Sequence, residues 1–363
     1  MVIRDPLHTP LCDLLGIRVA IVLAPMANGP STPELAAAVS RAGGLGCLGV
    51  TGMTRDAVVD EVQRAIALAG GGPVAVNVQI GPTREPRVGR EDLDAYLAPL
   101  RGELGLGLGE PGARAVADPP PALVEAALEA GASAVSVALG DPAEVAEIAR
   151  AAGVPLIASA SSVTEACQAV ASGADVIVAQ GAEAGGHRTT FDVDAGPLPL
   201  VGTLVLVPRI VDAVDVPVAA AGGIMDGRGV AAALALGAQA AWIGTRFMQA
   251  AEAGTAPVQQ EAMATAADTD TLVTDSVTGR PARWIRNRAV DTFEAGPGHL
   301  GWPGQAAAVG PIRKAAAAAG DAELLPMLAG QGAGMIGEVM PAEAIVEELA
   351  ASAREVLARL GGG

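Results

Sequence analysis

The sequence has few large side chains with which to fill a core, because aromatic residues make up only 2% of its 363 positions. Hydrophobic residues nevertheless account for 51% of the chain, so a core must consist mainly of alanine, valine, leucine and isoleucine. A chain of this length can form one large α/β domain with a smaller lobe. Its richness in alanine and glycine indicates helices packed closely on strands and disfavours a β-sandwich built around large rings.

Cysteine, histidine and lysine are also scarce, which disfavours several kinds of site. The cysteines Cys12, Cys47 and Cys167 are widely spaced and form no CxxC motif, so neither a disulfide framework nor a zinc site is expected. The three histidines do not cluster, and no metal site is predicted. Lys314 is the single lysine, which disfavours a mechanism that depends on a lysine amine.

Acidic residues outnumber basic ones, and this limits the expected partners. The formal net charge is −17, so neither nucleic acid nor an anionic membrane is an expected partner. One bound phosphate is compatible with this charge because backbone N–H groups can hold it. We find neither a signal peptide nor a long apolar run, so the cytoplasm is the expected location. The oligomeric state stays open, a homodimer included.

Eight short apolar runs alternate with alanine-rich segments of helical character. Runs that are apolar almost throughout are typical of parallel strands buried on both faces. The eight are residues 19–26, 45–50, 74–80, 134–140, 155–161, 176–181, 217–223 and 240–245. Eight consecutive βα units predict a TIM (β/α)8 barrel rather than a doubly wound sheet.

The segment after residue 245 is too long to be one closing helix. We therefore predict three parts for the chain. Residues 1–250 would form the barrel, residues 251–340 a smaller, largely helical lobe on the substrate side, and residues 341–363 a C-terminal helix that returns to the barrel.

Glycines follow the seventh and eighth predicted strands, where TIM barrels commonly bind phosphate. Gly222 and Gly223 follow the seventh strand, and Gly244 and Thr245 follow the eighth. Glycine lets backbone N–H groups approach phosphate oxygens, and a following helix adds a favourable dipole. These four residues are the predicted phosphate site. The alternative is that both loops are tight turns that need glycine for a positive φ.

Two uncharged amides, Asn77 and Gln180, lie near the ends of otherwise apolar strands. A buried amide without a partner is costly, so each needs a hydrogen-bonding group. A flavin ring offers N–H and C=O edges that match an amide. The alternative is that both amides bond neighbouring backbone.

His187 lies in the glycine-rich loop "GAEAGGHR" (181–188). Its glycines permit close approach to a planar ligand, and Glu183 and Arg188 are near enough in sequence to shift its pKa in opposite directions. A neutral imidazole near a flavin could accept a carbon-bound proton or stabilise a developing oxyanion. The alternative is a structural histidine that bridges two loops.

Together these stretches resemble the nitronate monooxygenase family, formerly called 2-nitropropane dioxygenases, and its class I in particular. The resemblance runs over nearly the whole chain and includes "AQGAEAGGHRTTF" (179–191), "TGRPARWIRNR" (278–288) and "GQGAGMI" (330–336). Members of this family are TIM barrels that bind FMN. Trp242 departs from the family pattern, which usually has glutamine there, and alters the predicted substrate pocket.

The resemblance implies a role for each candidate residue. Met26 would contact the flavin ring through its backbone, and Asn77 and Gln180 would hydrogen-bond the ring or the ribityl chain. Gly185 would lie against the cofactor, and the four residues of the predicted phosphate site would hold the FMN phosphate. His187 matches the family's active-site histidine, which acts as a base on neutral nitroalkanes and orients anionic nitronates.

The resemblance also implies an activity. An FMN-dependent nitronate monooxygenase would oxidise alkyl nitronates, among them propionate 3-nitronate, and nitroalkanes with O2 to a carbonyl compound and nitrite. Two alternatives stay open. One is an FMN-dependent NAD(P)H oxidoreductase of the enoyl-acyl-carrier-protein reductase II or quinone reductase type. The other is a non-catalytic barrel that binds FMN or another phosphate.

Overall fold

The computed structural model describes residues 5–107 and 117–361. Residues 1–4 and 108–116 of the predicted barrel part and residues 362–363 of the predicted C-terminal helix lie outside the described residues. Eight parallel strands form one sheet. They are β1 (Ile21–Leu23), β2 (Gly46–Gly49), β3 (Val74–Gln79), β4 (Ala134–Ala138), β5 (Leu156–Ala160), β6 (Val176–Gln180), β8 (Val218–Ala221) and β9 (Ala240–Ile243).

The strands run in the order β1-β9-β8-β6-β5-β4-β3-β2. An isolated parallel bridge between Val22 and Leu45 joins the two ends of this order. There Leu23 N donates to Leu45 O at 2.9 Å, and Leu45 N donates to Ile21 O at 3.1 Å. The sheet therefore closes into a barrel, and the predicted TIM barrel is confirmed.

Small side chains fill the interior of the barrel. Alternate residues of the strands form one buried cluster that includes Ala75, Ala134, Ala219 and Ala240. Because a strand points successive side chains to opposite faces, the intervening residues face the surrounding helices. Trp242 belongs to the interior cluster and is 6% exposed. The small alanine side chains leave room in the barrel interior, and the indole of Trp242 fits into that room.

One helix precedes β1, and helices separate most of the barrel strands that follow. They are α1 (Pro10–Leu15), α2 (Pro33–Arg41), α3 (Arg55–Ala69), α4 (Arg90–Glu103), α5 (Pro120–Glu129), α6 (Ala143–Ala152), α7 (Val163–Ala171), α8 (Thr203–Val211) and α9 (Gly227–Ala235). Side chains that accept hydrogen bonds from the first turn fix where several of these helices start. The side chain of Thr32 accepts a hydrogen bond from Leu35 N at 3.0 Å at the start of α2, and Asp226 accepts from the backbone at the start of α9. Such caps satisfy helix N–H groups that lack a partner within the helix.

The chain after β9 forms a second unit beside the mouth of the barrel. Its helices are α10 (Pro257–Thr265), α11 (Arg288–Glu294) and α12 (Gly304–Ala319), and its strands are β10 (Thr271–Thr274), β11 (Ala282–Ile285) and β12 (Met327–Leu328). The three strands form an antiparallel sheet, which the sequence did not predict. Helix α4, inserted after β3, packs into the same core through Leu93 and Leu97. The proposed boundaries at residues 250 and 340 stay predictions.

The last helix, α13 (Ala342–Gly361), returns to the barrel as predicted. Ile345 and Leu349 are buried in the same cluster as the outer faces of the barrel strands. A Cβ placed on Gly227 of α9 would lie 2.3 Å from the N atom of Ala353, so glycine permits the close contact between α9 and α13. Among the described residues, no helix has both the length and the apolar character needed to cross a membrane.

Candidate active site

The nine predicted site residues all belong to the segments at the C-terminal ends of barrel strands. This end of a TIM barrel is where active sites form. Met26 follows β1, Asn77 lies in β3, Gln180 ends β6, Gly185 and His187 lie in the loop after β6, Gly222 and Gly223 follow β8, and Gly244 and Thr245 follow β9.

The loops after β8 and β9, here called the phosphate loops (222–223 and 244–245), offer free backbone donors. Gly222 and Gly223 have φ angles of 113° and 72°, which glycine adopts without strain. Thr245 begins a short 3-10 helix, Thr245–Gln249. The N–H groups of Gly223 and Thr245 donate no hydrogen bond to any other described residue. Unpaired N–H groups at a glycine turn and at a helix start suit an anion, so this end of the barrel fits a phosphate group.

A segment of the second unit lies across the phosphate loops, and we call residues 329–332 the crossing segment. Gly330 N donates to Thr245 Oγ1 at 3.0 Å, and Gln331 N donates to Glu183 O at 3.0 Å. A Cβ placed on Gly185 would lie 2.5 Å from Gly330 N. Gly185 is therefore required for close approach of the crossing segment, a contact that the sequence did not predict.

The amides of Asn77 and Gln180 both have protein partners. Asn77 Nδ2 donates to Ser136 Oγ at 3.0 Å. Gln180 Nε2 donates to His187 O at 3.0 Å, and Gln180 Oε1 accepts from Thr189 N at 2.9 Å. The Gln180 amide thus bonds the backbone on both sides of Arg188, next to His187. Each amide group keeps hydrogen-bonding capacity, because an amide has two N–H donors and an oxygen with two lone pairs.

Met26 lies at the edge of the phosphate loops. Its N–H donates to Ser31 Oγ at 2.8 Å, and its carbonyl accepts from Ser31 N at 3.1 Å. A Cβ placed on Gly244 would lie 3.8 Å from the sulfur of Met26. The turn at Ser31 therefore fixes the backbone of Met26 next to the loop after β9.

His187 is held by the second unit as well as by the barrel. Residues Gly186–His187 form a two-residue strand, β7, that pairs antiparallel with β11. The Nε2 atom of His187 lies 3.0 Å from Thr278 Oγ1. The Thr278 hydroxyl also lies 3.2 Å from Arg280 O. Thr278 therefore joins the imidazole of His187 to the backbone that leads into β11.

The surroundings of His187 keep its ring uncharged. The ring of Trp302 lies 5.0 Å from it, centroid to centroid, in an edge-to-face arrangement. Burial and the positive charges of Arg280 and Arg313 lower the pKa of His187 to about 3. Glu183 and Arg188, the groups that the sequence suggested, are not among the causes. The reason is that each is occupied elsewhere.

The carboxylate of Glu183 lies at the start of α8. It accepts from Thr203 N at 3.0 and 2.9 Å and from Thr203 Oγ1 at 2.8 Å. The guanidinium of Arg188 is fully buried and donates to Gly181 O at 2.6 Å and Gln180 O at 2.9 Å. Both side chains therefore stabilise the loop after β6 rather than contact the imidazole.

Arg280 is fully buried beside His187. Its Nη2 atom donates to Leu139 O at 2.8 Å and to Thr190 O, whereas Nε and Nη1 have no hydrogen-bond partner among the described residues. Burial lowers the pKa of Arg280 to about 10, so it stays charged at neutral pH. We call His187, Thr278, Arg280 and Trp302 the His187 cluster. It carries a positive charge that no directly bonded carboxylate neutralises.

The sequence did not single out Thr278, Arg280 and Trp302 of this cluster, or Gly330 of the crossing segment. Thr278 and Arg280 lie in the stretch "TGRPARWIRNR", and Gly330 of the crossing segment opens "GQGAGMI". Both stretches contributed to the resemblance described above, but no role was assigned to their residues. Trp302, one of only three tryptophans, was also overlooked. Within residues 5–107 and 117–361, no three His, Cys, Asp or Glu side chains are grouped so as to hold a metal ion.

Comparison with known sequences identifies relatives along the whole chain. The family model described as nitronate monooxygenase matches residues 8–352. A probable nitronate monooxygenase from Staphylococcus saprophyticus is 35% identical over 359 residues, covering 97% of this chain and 99% of its own length. A probable nitronate monooxygenase from Staphylococcus aureus is 37% identical over 326 residues, covering 88% and 90%.

Two solved structures are also similar to this chain over nearly its whole length. Nitroalkane oxidase from Streptomyces ansochromogenes superposes with a TM-score of 0.86 at 38% identity, covering 97% of this chain and 99% of its own. FabK from Thermotoga maritima superposes with a TM-score of 0.75 at 31% identity, covering 98% of both chains.

Proposed function

The chain belongs to the nitronate monooxygenase family, a family of oxidoreductases, and we propose that it is an FMN-dependent enzyme that oxidises alkyl nitronates with O2 to a carbonyl compound and nitrite. The proposal rests on one arrangement at the mouth of the barrel. His187 is neutral, and the charges of Arg280 and Arg313 that act on it are not neutralised by a bonded carboxylate among the described residues. The glycine loops at the same end of the barrel have free N–H groups. Detoxification of nitronates is the purpose that we assign to this reaction.

The residues at the barrel mouth fit FMN. The N–H groups of Gly223 and Thr245 would hold its phosphate, together with the Thr245 hydroxyl, whose oxygen accepts from Gly330 N and whose hydrogen donates to no described residue. Asn77 and Gln180 would bond the ring or the ribityl chain with their remaining capacity, and Met26 would lie beside the ring. When bound, FMN supplies the electron-accepting chemistry and the reaction with O2 that the protein side chains lack.

The charge around His187 favours a nitronate over a neutral nitroalkane. A neutral nitroalkane must first lose a carbon-bound proton, and a base with a pKa of about 3 accepts it poorly. A nitronate is already an anion and needs no base. The positive charges of Arg280 and Arg313 attract such an anion. We therefore assign nitronates as the preferred substrates, with His187 acting as a weak base only when a nitroalkane binds.

An NAD(P)H-dependent reductase of the enoyl-acyl-carrier-protein reductase II type is the second candidate. It is favoured by the likeness to FabK of Thermotoga maritima, which covers 98% of this chain. The likeness to the Streptomyces nitroalkane oxidase has the higher TM-score and identity, and we place the monooxygenase first for that reason.

The deciding experiment is oxygen consumption by the purified yellow protein with a nitronate and without NAD(P)H. The proposal predicts oxygen uptake and the appearance of nitrite. If FMN-loaded protein takes up no oxygen with nitronates but its flavin is reduced by NADH or NADPH, the reductase is the correct assignment. If neither substrate reduces the flavin, a non-catalytic barrel remains.

A further inference from the structure

Arg84, in the loop after β3, joins three segments of the chain around one buried guanidinium. Its side chain is 4% exposed. Its Nε and Nη2 atoms donate to the carboxylate of Asp194 at 3.0 and 2.7 Å. Its Nη1 atom donates to Asp275 Oδ2 at 3.0 Å and to Gly279 O at 2.6 Å. Every side-chain nitrogen of Arg84 therefore has an acceptor, and all of these acceptors are distant from Arg84 in the sequence.

Two of the acceptors enclose Thr278, whose Oγ1 atom lies 3.0 Å from His187 Nε2. Residues 275–279, here called the Asp275 loop, are closed by a hydrogen bond from Gly279 N to Asp275 O at 2.7 Å. Arg84 binds this loop at both ends, through the carboxylate of Asp275 and the carbonyl of Gly279. The loop that carries Thr278 is thus held in place from the barrel side.

The backbone of Arg84 holds a second neighbour of His187. Arg84 N donates to Trp302 O at 2.8 Å, and the ring of Trp302 lies 5.0 Å from that of His187. Gly301 permits this close approach, because its φ is 69° and a Cβ placed on it would clash with Arg84 O. One residue therefore bonds the main chain next to Thr278 and the main chain of Trp302.

His299 provides another link between the Asp275 loop and Trp302. It is 2% exposed, and its Nδ1 atom accepts from Gly301 N at 2.9 Å. Its Nε2 atom lies 3.2 Å from Asp275 Oδ2. The Asp275 carboxylate is thus shared between Arg84 and His299, and both of these residues bond the main chain at residues 301–302. Buried polar networks of this kind rigidify the groups that they join.

We propose that Arg84 is a positioning residue for His187: it holds Thr278 and Trp302 against the imidazole and so sets the orientation of the ring toward the substrate. The inference rests on the proposed function, in which His187 acts as a base on neutral nitroalkanes. Stability alone is a poor reason for such a group, because apolar side chains often replace a buried ion pair without loss of stability. Orientation is a better reason, since a displacement of about 1 Å can lower turnover about 100-fold.

The test is a double-mutant cycle between Arg84→Met and His187→Asn, with nitroethane as the neutral nitroalkane. In the wild-type background, Arg84→Met should keep its FMN and lose about 10-fold in kcat, with a change in KM below about twofold. In the His187→Asn background the same change should lower kcat by less than about twofold, because no imidazole is left to orient. Arg84→Lys should restore part of the loss, since an ammonium can still bond Gly279 O.

Arg101→Met is the matched control. Arg101 is 2% exposed, and its Nη2 atom donates to Ala308 O at 3.0 Å. The control therefore also loses a buried guanidinium, but its kcat should change by less than about twofold. If Arg84→Met does not fold, Asp275→Asn takes its place in the cycle, and the same pattern is expected. Equal losses in the two backgrounds overturn the proposal, and so does an unchanged kcat in the folded variant.

NMR of the histidine rings separates this inference from the proposed function. The chain has three histidines, His8, His187 and His299, so His187→Asn assigns the signals of His187 in histidine-labelled protein. Arg84→Met should shift these signals by more than their line width and leave those of His8 in place, whereas Arg101→Met should shift neither. If the wild type oxidises neither nitronates nor nitroalkanes, the proposed function fails, and a shift of the His187 signals still supports the positioning role. Unshifted signals overturn it.

Discussion

The two sides of the candidate site are built from different chemical groups. The phosphate loops consist of glycines and a threonine, and they present backbone N–H groups without any formal charge. The His187 cluster consists of side chains, several of them from the second unit, and it presents guanidinium charge. Backbone dipoles suit the phosphate of a resident cofactor, whereas guanidinium charge suits a small anion that enters and leaves.

The difference also lies in where the residues come from. Both phosphate loops follow consecutive barrel strands, β8 and β9, so barrel closure alone brings them together. His187 acquires its neighbours only when β11 pairs with β7 and α12 packs nearby. A change on one side should therefore leave the other side largely intact, and each prediction below tests this independence.

The largest effect is expected for Gly223→Val. The φ angle of 72° strains any larger residue, and a Cβ there would lie 3.4 Å from Cβ of Glu183, so the new side chain would shift the loop and its free N–H group. We expect colourless protein without bound FMN, measured by absorbance and by flavin release on denaturation.

Gly153→Val is the matched control, because Gly153 has a similar φ of 67° at the end of α6 with nothing within 4 Å of its added Cβ. The control should bind FMN fully while sharing the backbone strain. A full complement of FMN in Gly223→Val would show that the phosphate lies elsewhere.

A smaller and more selective effect is expected for His187→Asn. The variant should keep its FMN, since the phosphate loops do not contact this ring. Loss of a general base predicts a fall of about 100-fold in the turnover of neutral nitroalkanes, while nitronate turnover should fall by less than about tenfold. Parallel losses on both forms of the substrate would contradict the role as base.

Thr278→Val provides the control for this variant. It removes the partner of Nε2 and keeps the ring, so FMN binding and the imidazole are retained. We expect only a several-fold loss on nitroalkanes, because the ring is kept and loses only the side-chain hydrogen bond that orients it.

The smallest effect concerns the pH dependence of stability. The pKa of His187 is about 3 in the folded protein, below the value near 6.5 of an unfolded chain. Between these values the unfolded chain binds a proton that the folded protein does not, so the free energy of unfolding falls as the pH falls. Relative to His187→Asn, the wild type should lose at most about 2 kcal/mol between pH 7 and pH 5. Urea denaturation at both pH values measures this, and a constant difference between the two proteins would contradict the lowered pKa.

Sequence patterns predicted the barrel well because the residues that determine its strands and turns are close together in the sequence. Each barrel strand is an apolar run, and Gly222 and Gly223 stand where the backbone needs positive φ. The His187 cluster could not be predicted in the same way. Thr278 lies 91 residues from His187 along the chain, and only the pairing of β7 with β11 brings them together. Gly185 was predicted to lie against the cofactor, and its contact with the crossing segment depends on packing that no local pattern contains.

The pairing between β7 and β11 has a consequence for protein engineering. His187 is opposite Ala282, and Gly186 is opposite Arg283, in one antiparallel ladder. The segment that carries the His187 ring is thus anchored by main-chain pairing to the second unit. A chimera that exchanges that unit with a relative's must preserve the register of this ladder, or the imidazole will shift although the barrel sequence is untouched. The barrel and the second unit therefore have to be exchanged together.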